Sequence, residues 1–311
     1  MIAQNKRLLE NQFLVAEAHS LYKAKFITEV QFSEIQKAIP TPKKSKNILL
    51  RIGFAFLGML LYASICGFIS LLGLGIIDNS FTFFIFVYAV IGFIGAEFFV
   101  RQNHSEQGLD DSFLIIGQLL LGAGIGTITD GYELPVAFVA TIVSLLTYLR
   151  YLNRASILIF CIASTATIAF GMFELGALGK AILPFVLMVY GVTLYFTCKK
   201  ITKNFQFPFY HKGILLVKYF GLILFYVAGN YLVVRELSVV LLGNEIAPNS
   251  DIPFAWFFYI FTFIVPMLYV FFGIKLLDRA MLWIGFLSLG FSFYTIDYYF
   301  LEVPIEVYLT L

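Results

Sequence analysis

Nine apolar runs, each long enough to cross a bilayer, set what this chain can become. They cover residues 52–77, 81–100, 112–128, 133–149, 155–173, 179–198, 213–234, 252–273 and 279–299. About 17–25 residues of helix span the hydrocarbon layer. Every backbone polar group in that layer must be satisfied inside the segment, so these runs are read as transmembrane helices. Composition agrees: 60% of residues are hydrophobic and only 13% charged, with a mean hydropathy of +0.88. A soluble domain carries about 25% charged residues. The expected fold is all-α, a polytopic bundle of nine spans (residues 48–311) preceded by a short cytoplasmic helical hairpin and basic linker (residues 1–47). Connections as short as "DNS" (78–80) and "TDGY" (129–132) force neighbouring spans to run antiparallel.

Orientation follows from the basic residues. Nineteen of the 21 Lys and Arg fall on one set of connections or on the N-terminal segment; Lys180 and Arg235 alone fall on the other side. The bias places the N-terminus in the cytoplasm and, with nine spans, the C-terminus outside. Residues 1–47 are polar and rich in Lys and Glu, which is not the pattern of a cleavable signal peptide. A net charge of +2 carries no signal for nucleic acid.

In the hairpin, Thr28 and Gln31 have the spacing of a capping box, followed by a Phe32, Ile35, Ile39 stripe that Pro40 ends. Two readings stay open: a solvated cap, or a module that docks a protein partner or the membrane surface. Cys66, Cys161 and Cys198 each sit in or at the end of an apolar run and read as small hydrophobes. His19, His104 and His211 are scattered, so no metal site is expected. No nucleophile elbow, phosphate loop or paired carboxylate occurs, and no cofactor is expected.

Ionisable residues deep in a bilayer cost roughly 2.5–3.5 kcal/mol and usually mark function. Here they hug the ends of the spans. Glu97 can pair with Arg101 one turn later, and Lys218 can snorkel. Asp297 is two residues from the end of its span among Tyr294, Tyr298 and Tyr299, as an interfacial anchor or a buried functional carboxylate. The midplane holds only neutral polar groups such as Gln118, Thr262 and Ser288. Pro184 and Pro266 could break their helices and free backbone carbonyls, or only kink them, which is the commoner outcome. In "GQLLLGAGIGTITDGYELP" (117–135), Gly122, Gly124 and Gly126 suit close helix packing. If a ligand site exists, Gln118, Asp130, Asn230 and Asp297 are the candidates to line it.

"RYLNRASILI" (150–159) echoes "KLLDRAMLWI" (275–284), and "PFVLMVYGVTL" (184–194) shares Pro-x6-Gly with "PMLYVFFGIKL" (266–276). The two matches have different offsets, so they suit shared turn and kink chemistry or a decayed repeat.

The hairpin, the glycine-rich stretch and "YLRYLNRASILI" together resemble a family of bacterial multi-pass membrane proteins known mainly as a domain of unknown function. Its members carry G-[LI]-I-[ST]-x-E-Q near the start. Ile27 and Thr28 match, while Lys25, Phe26 and Val30 depart. Their glycine-rich span ends in G-I-x-L-I-x-Q-x-Y-x-x-P; Gly124, Ile125, Ile128, Tyr132 and Pro135 match, and Asp130 replaces Gln. The likeness covers roughly the first half of the chain. Members usually continue with more helix beyond the point where this chain ends. The resemblance implies a bacterial inner-membrane protein with no established activity. Three functions remain in view: a non-enzymatic scaffold, sensor or assembly factor; a transporter for an apolar or zwitterionic solute; and a lipid-modifying enzyme using Asp130, Asp297 and Glu302. Lipid is the expected surrounding, with a possible protein partner at the hairpin and the oligomeric state open.

Overall fold

A computed structural model describes residues 2–41, 48–73, 77–102, 108–203, 208–242 and 251–301. The basic linker with Lys43, Lys44 and Lys46, His104, Glu302 and the tail 304–311 lie outside the described residues. Twelve α-helices appear among those described: α1 (Lys6–Lys23), α2 (Glu29–Ala38), α3 (Ile48–Leu72), α4 (Ile77–Arg101), α5 (Leu109–Ile128), α6 (Glu133–Tyr151), α7 (Arg154–Phe173), α8 (Gly176–Lys203), α9 (His211–Gly229), α10 (Tyr231–Leu242), α11 (Ala255–Lys275) and α12 (Arg279–Ile296). A 3-10 turn, Pro208–Tyr210, precedes α9, and a π-helical turn, Asp297–Leu301, follows α12. Nine of these helices are long and apolar enough to cross a membrane. The chain is therefore a multi-pass integral membrane protein with an all-α fold.

Contacts divide the chain into two compact units. The first unit holds residues 1–167 and 205–213, hairpin included; the second holds 168–204 and 214–311.

In the first unit, the hairpin closes as its pattern predicts. Thr28 caps α2 by accepting from the Gln31 amide at 3.3 Å, and the Gln31 side chain accepts from the Thr28 N–H at 2.9 Å. Phe32 stacks on Tyr22 with ring centroids 5.5 Å apart, and Asn11 donates to the Pro40 carbonyl. The hairpin is tied to α6: the Ala3 N–H donates to the Arg150 carbonyl at 2.8 Å, and the Gln4 side-chain amide to the Tyr151 carbonyl at 2.9 Å. The last carbonyls of a helix lack intrahelical donors, and these two bonds supply them. The core of this unit is Tyr62, Ala96, Val100, Phe113, Leu114 and Tyr151.

Close glycine packing falls on Gly124 of the expected three, and on Gly92 and Gly117. A Cβ on Gly92 of α4 would lie 2.8 Å from the Gly117 Cα, so α4 and α5 cross there. Gly124 faces the Phe86 ring, with a Cβ 2.9 Å from it. Gly122 and Gly126 would bring a Cβ no closer than 3.9 and 3.7 Å to Val136, which is ordinary contact. "TDGY" forms the α5–α6 turn, whereas residues 78–80 begin α4 rather than connecting to it.

In the second unit, α8 and α11 continue through Pro184 and Pro266. Neither proline breaks its helix. The break falls in the span drawn from 213 to 234, where α9 ends at Gly229 and α10 starts at Tyr231. The core here is Met188, Leu222, Tyr226, Phe261, Val265 and Tyr269. Gly191 and Gly273, the glycines of the two Pro-x6-Gly segments, are both close-packed: a Cβ would lie 2.8 Å from the Gly221 carbonyl oxygen and 2.9 Å from the Leu282 backbone.

The turn echo is also structural. Leu152 and Leu277 both adopt left-handed backbone, with φ of 56° and 53°. Each is followed by a capping residue: Asn153 accepts from the Ala155 and Ser156 amides, and Asp278 from the Met281 amide. A left-handed leucine costs about 1–2 kcal/mol, and the cap that follows offsets about 1 kcal/mol of it.

Candidate functional sites

The first unit gathers its charge at the end where α4 and α6 finish and α5 and α7 begin. Asp110 and Asp111 occupy the first turn of α5 and are buried, and acids there complement the positive helix end. Asp111 accepts from Arg51 Nε at 3.0 Å, forms an ion pair with the same guanidinium, and accepts from Asn153 Nδ2 at 2.6 Å. One carboxylate thus links α3, α5 and the α6–α7 turn. Glu97 does the same for α4 and α6. It accepts from Arg101 Nε at 3.0 Å, from Arg150 Nη2 at 2.7 Å and from the Tyr151 hydroxyl at 2.9 Å. The i, i+4 pair with Arg101 was readable from spacing; the stronger, two-pronged partner 53 residues away was not.

Gln118 lies buried midway along α5. Its Nε2 donates to the Leu114 carbonyl at 3.1 Å and to Ser156 Oγ at 2.9 Å, joining α5 to α7. Its Oε1 is buried with no hydrogen-bond partner among the described residues. Asp130 is exposed in the α5–α6 turn, with φ of 51°. Ten residues of helical rise, about 15 Å, separate Gln118 from the end of α5, and Asp130 lies beyond it in the turn.

The second unit holds the densest polar cluster, at the break between α9 and α10. Asn230 is fully buried. Its Oδ1 accepts from the Val233 amide at 3.4 Å and caps α10; its Nδ2 donates to the Tyr226 hydroxyl at 3.1 Å and to Thr295 Oγ1 at 3.3 Å. The Tyr231 N–H, freed by the break, donates to Thr262 Oγ1 at 3.0 Å. Ser292 Oγ donates to the Thr262 carbonyl at 2.6 Å. The Thr262 hydroxyl of α11 thus satisfies an amide that an unbroken helix would satisfy by itself, and Ser292 of α12 supplies a donor to the α11 carbonyl four residues before Pro266, which has no N–H to give. Asp297 follows two residues after Thr295, half-buried at the end of α12. Its Oδ1 is buried and has no hydrogen-bond partner among the described residues. Asn230 thus reaches Thr295 of α12, two residues before Asp297, and no contact joins Asn230 to Asp297 among the described residues; Gln118 and Asp130 belong to the other unit.

Beyond the break lies an aromatic–ionic cluster that no spacing announced. The Tyr231 hydroxyl donates to Asp251 Oδ1 at 2.7 Å and accepts from Arg235 Nη1 at 2.8 Å. Tyr259 stacks on Tyr231 at 4.1 Å and donates to Asp251 Oδ2. The Arg235 guanidinium lies 4.7 Å over the Tyr299 ring. Burial opposes the charge on Asp251. The donors Tyr231, the Ile252 amide and Tyr259, with Arg235 nearby, outweigh it and hold the carboxyl below its ordinary range.

At the α11–α12 turn, Lys218 does not simply snorkel. Its ammonium donates to Asp278 Oδ2 at 2.8 Å, and the Tyr219 hydroxyl to Oδ1 at 2.9 Å. Burial works against the Asp278 charge as well. Lys218, the Met281 amide and Tyr219 prevail, and its carboxyl too is held below the usual range. The sequence signal for this pair was Asp278 in the echoed turn; its partner lies 60 residues earlier.

The chain matches no family model, no curated protein and no solved structure.

Proposed function

We propose that this chain is a non-enzymatic membrane scaffold, sensor or assembly factor whose N-terminal hairpin is its interaction module, set in a bacterial inner membrane with the hairpin in the cytoplasm. The observation that carries the reading is the seating of the hairpin. Ala3 and Gln4 bind it to the end of α6, yet Phe13, Leu14, Phe26 and Val30 remain exposed, Phe26 at 79%. Apolar side chains on a fixed, polar-flanked module suit contact with a protein partner. The one-sided distribution of Lys and Arg supports the orientation.

A photo-crosslinking residue placed at Phe26 or Val30 in intact cells tests the reading. A discrete protein adduct is expected from those positions and not from lipid-facing Leu287. Adducts with lipid alone, together with an unaltered phenotype when residues 2–41 are removed, would refute it.

One observation favours a transporter as the second reading: the discontinuous α9–α10 pair with its buried hydroxyl cluster. Broken helices are a common way to build solute sites inside membranes. Proteoliposome uptake of apolar and zwitterionic solutes, compared between wild type and Asn230→Leu, decides it. Flux that depends on Asn230 would displace the scaffold reading. For the third reading, a lipid-modifying enzyme using Asp130, Asp297 and Glu302, the described residues add no observation, and Glu302 lies outside them.

A further inference from the structure

Beneath the hairpin, the first unit encloses a cavity of about 240 Å³. One wall is α1, through Gln4, Leu9, Gln12 and Phe13. The opposite wall is the α6–α7 turn, with Arg154, and the first turn of α9, with His211 and Lys212. Three basic side chains and no carboxylate line it among the described residues. Arg154 is exposed and forms no ion pair among the described residues.

The walls are held in place. The Tyr148 hydroxyl donates to the Tyr210 carbonyl at 3.0 Å, and the Tyr210 hydroxyl donates to the Leu149 carbonyl at 3.0 Å. These two bonds lock the turn before α9 against the end of α6. The α1 wall is fixed by Ala3 and Gln4. The positive end of α9, whose first turn lines the cavity, adds to the side-chain charge. Leu9, Phe13, Leu152 and Phe209 supply an apolar wall beside it.

We infer that this cavity binds a phosphate-bearing amphiphile, its phosphate held by Arg154, His211 and Lys212 and its apolar part against Leu9 and Phe13. Guanidinium, imidazole and ammonium groups all donate to phosphate oxygens, and the guanidinium can do so through two parallel bonds. The phosphate could arrive on a lipid headgroup or on a soluble phosphate ester, and the same side chains serve both. The site stands whether or not the hairpin has a protein partner.

Calorimetry on the full chain in phosphatidylcholine nanodiscs tests this with two probes, inorganic pyrophosphate and short-chain phosphatidic acid. Binding of either is expected to weaken about tenfold or more, about 1.4 kcal/mol, in the double variant Arg154→Gln, Lys212→Gln. It should be unchanged in Lys199→Gln, Lys275→Gln, which removes as much charge elsewhere. Gln12→Glu serves as the second variant: it removes no basic group, adds a carboxylate to the cavity and should weaken binding similarly. Phosphatidic acid alone binding in this way supports the site and assigns it to lipid; pyrophosphate binding supports it and assigns it to a soluble ester. Absence of binding by both probes, or equal weakening by the Lys199 and Lys275 pair, overturns the inference.

Discussion

Replacing Asn230 by Ala tests whether the helix break is held by hydrogen bonds or only by packing. The side chain does three things: it caps α10 through the Val233 amide, and it donates to Tyr226 and to Thr295. Loss of a cap costs about 1 kcal/mol. Side-chain hydrogen bonds between membrane helices average about 0.6 kcal/mol each. The neighbours are not left bare, because Tyr226 still bonds the Ser288 carbonyl and Ser292, and Thr295 still bonds the Phe291 carbonyl. The expected loss is therefore about 2 kcal/mol, with no added penalty for stranded partners. Reversible unfolding of the purified chain in mixed micelles measures it, and a double-mutant cycle with Thr295→Val isolates one arm. That cycle should return a coupling of about 0.6 kcal/mol. A loss for Asn230→Ala of under about 0.5 kcal/mol, within the range of a neutral surface change, would refute the reasoning. The break would then owe its position to packing around Gly229 and Phe261.

Two further outcomes follow from the same structure. Gly92→Leu should abolish monodisperse, folded protein on size-exclusion chromatography, because even a Cβ there would meet the Gly117 backbone at 2.8 Å; Gly122→Ala, with its nearest neighbour at 3.9 Å, should shift the melting temperature by no more than a degree or two, roughly the effect of about 0.5 kcal/mol. Asp278 is held below its unfolded pKa of about 3.9, so its contribution to stability is fully present above that value and drains away as pH falls through the lower folded value; stability measured across the acid range should lose this component in wild type and lack it in Asp278→Asn.

The sequence was most readable where an interaction is local. The capping box needs only Thr28 and Gln31, three residues apart, and both of its bonds form. Glu97 and Arg101 sit one helical turn apart and pair. The same logic failed wherever the partner comes from another helix. Glu97 also holds Arg150, Asp111 holds Arg51 and Asn153, and Lys218 holds Asp278; each partner is more than 40 residues distant. The prolines leave their helices unbroken for a related reason. Pro184 and Pro266 remove one donor each, a loss a membrane helix can absorb, so their helices continue. The break at Asn230 carries no local signature, since its freed amide is taken by Thr262 and its side chain is held by Thr295, both from distant helices.

By itself, the sequence determined that the chain lives in lipid, that nine of its helices can span it, and where most of them begin and end. Apolar length and the need to satisfy the backbone within each segment suffice for that, and both are properties of consecutive residues. Tertiary structure alone decided which glycines let helices touch, which acid meets which base, where one helix parts and what lies beneath the hairpin. Those outcomes depend on how side chains distant in sequence meet across helix faces, and no run of neighbouring residues contains that information.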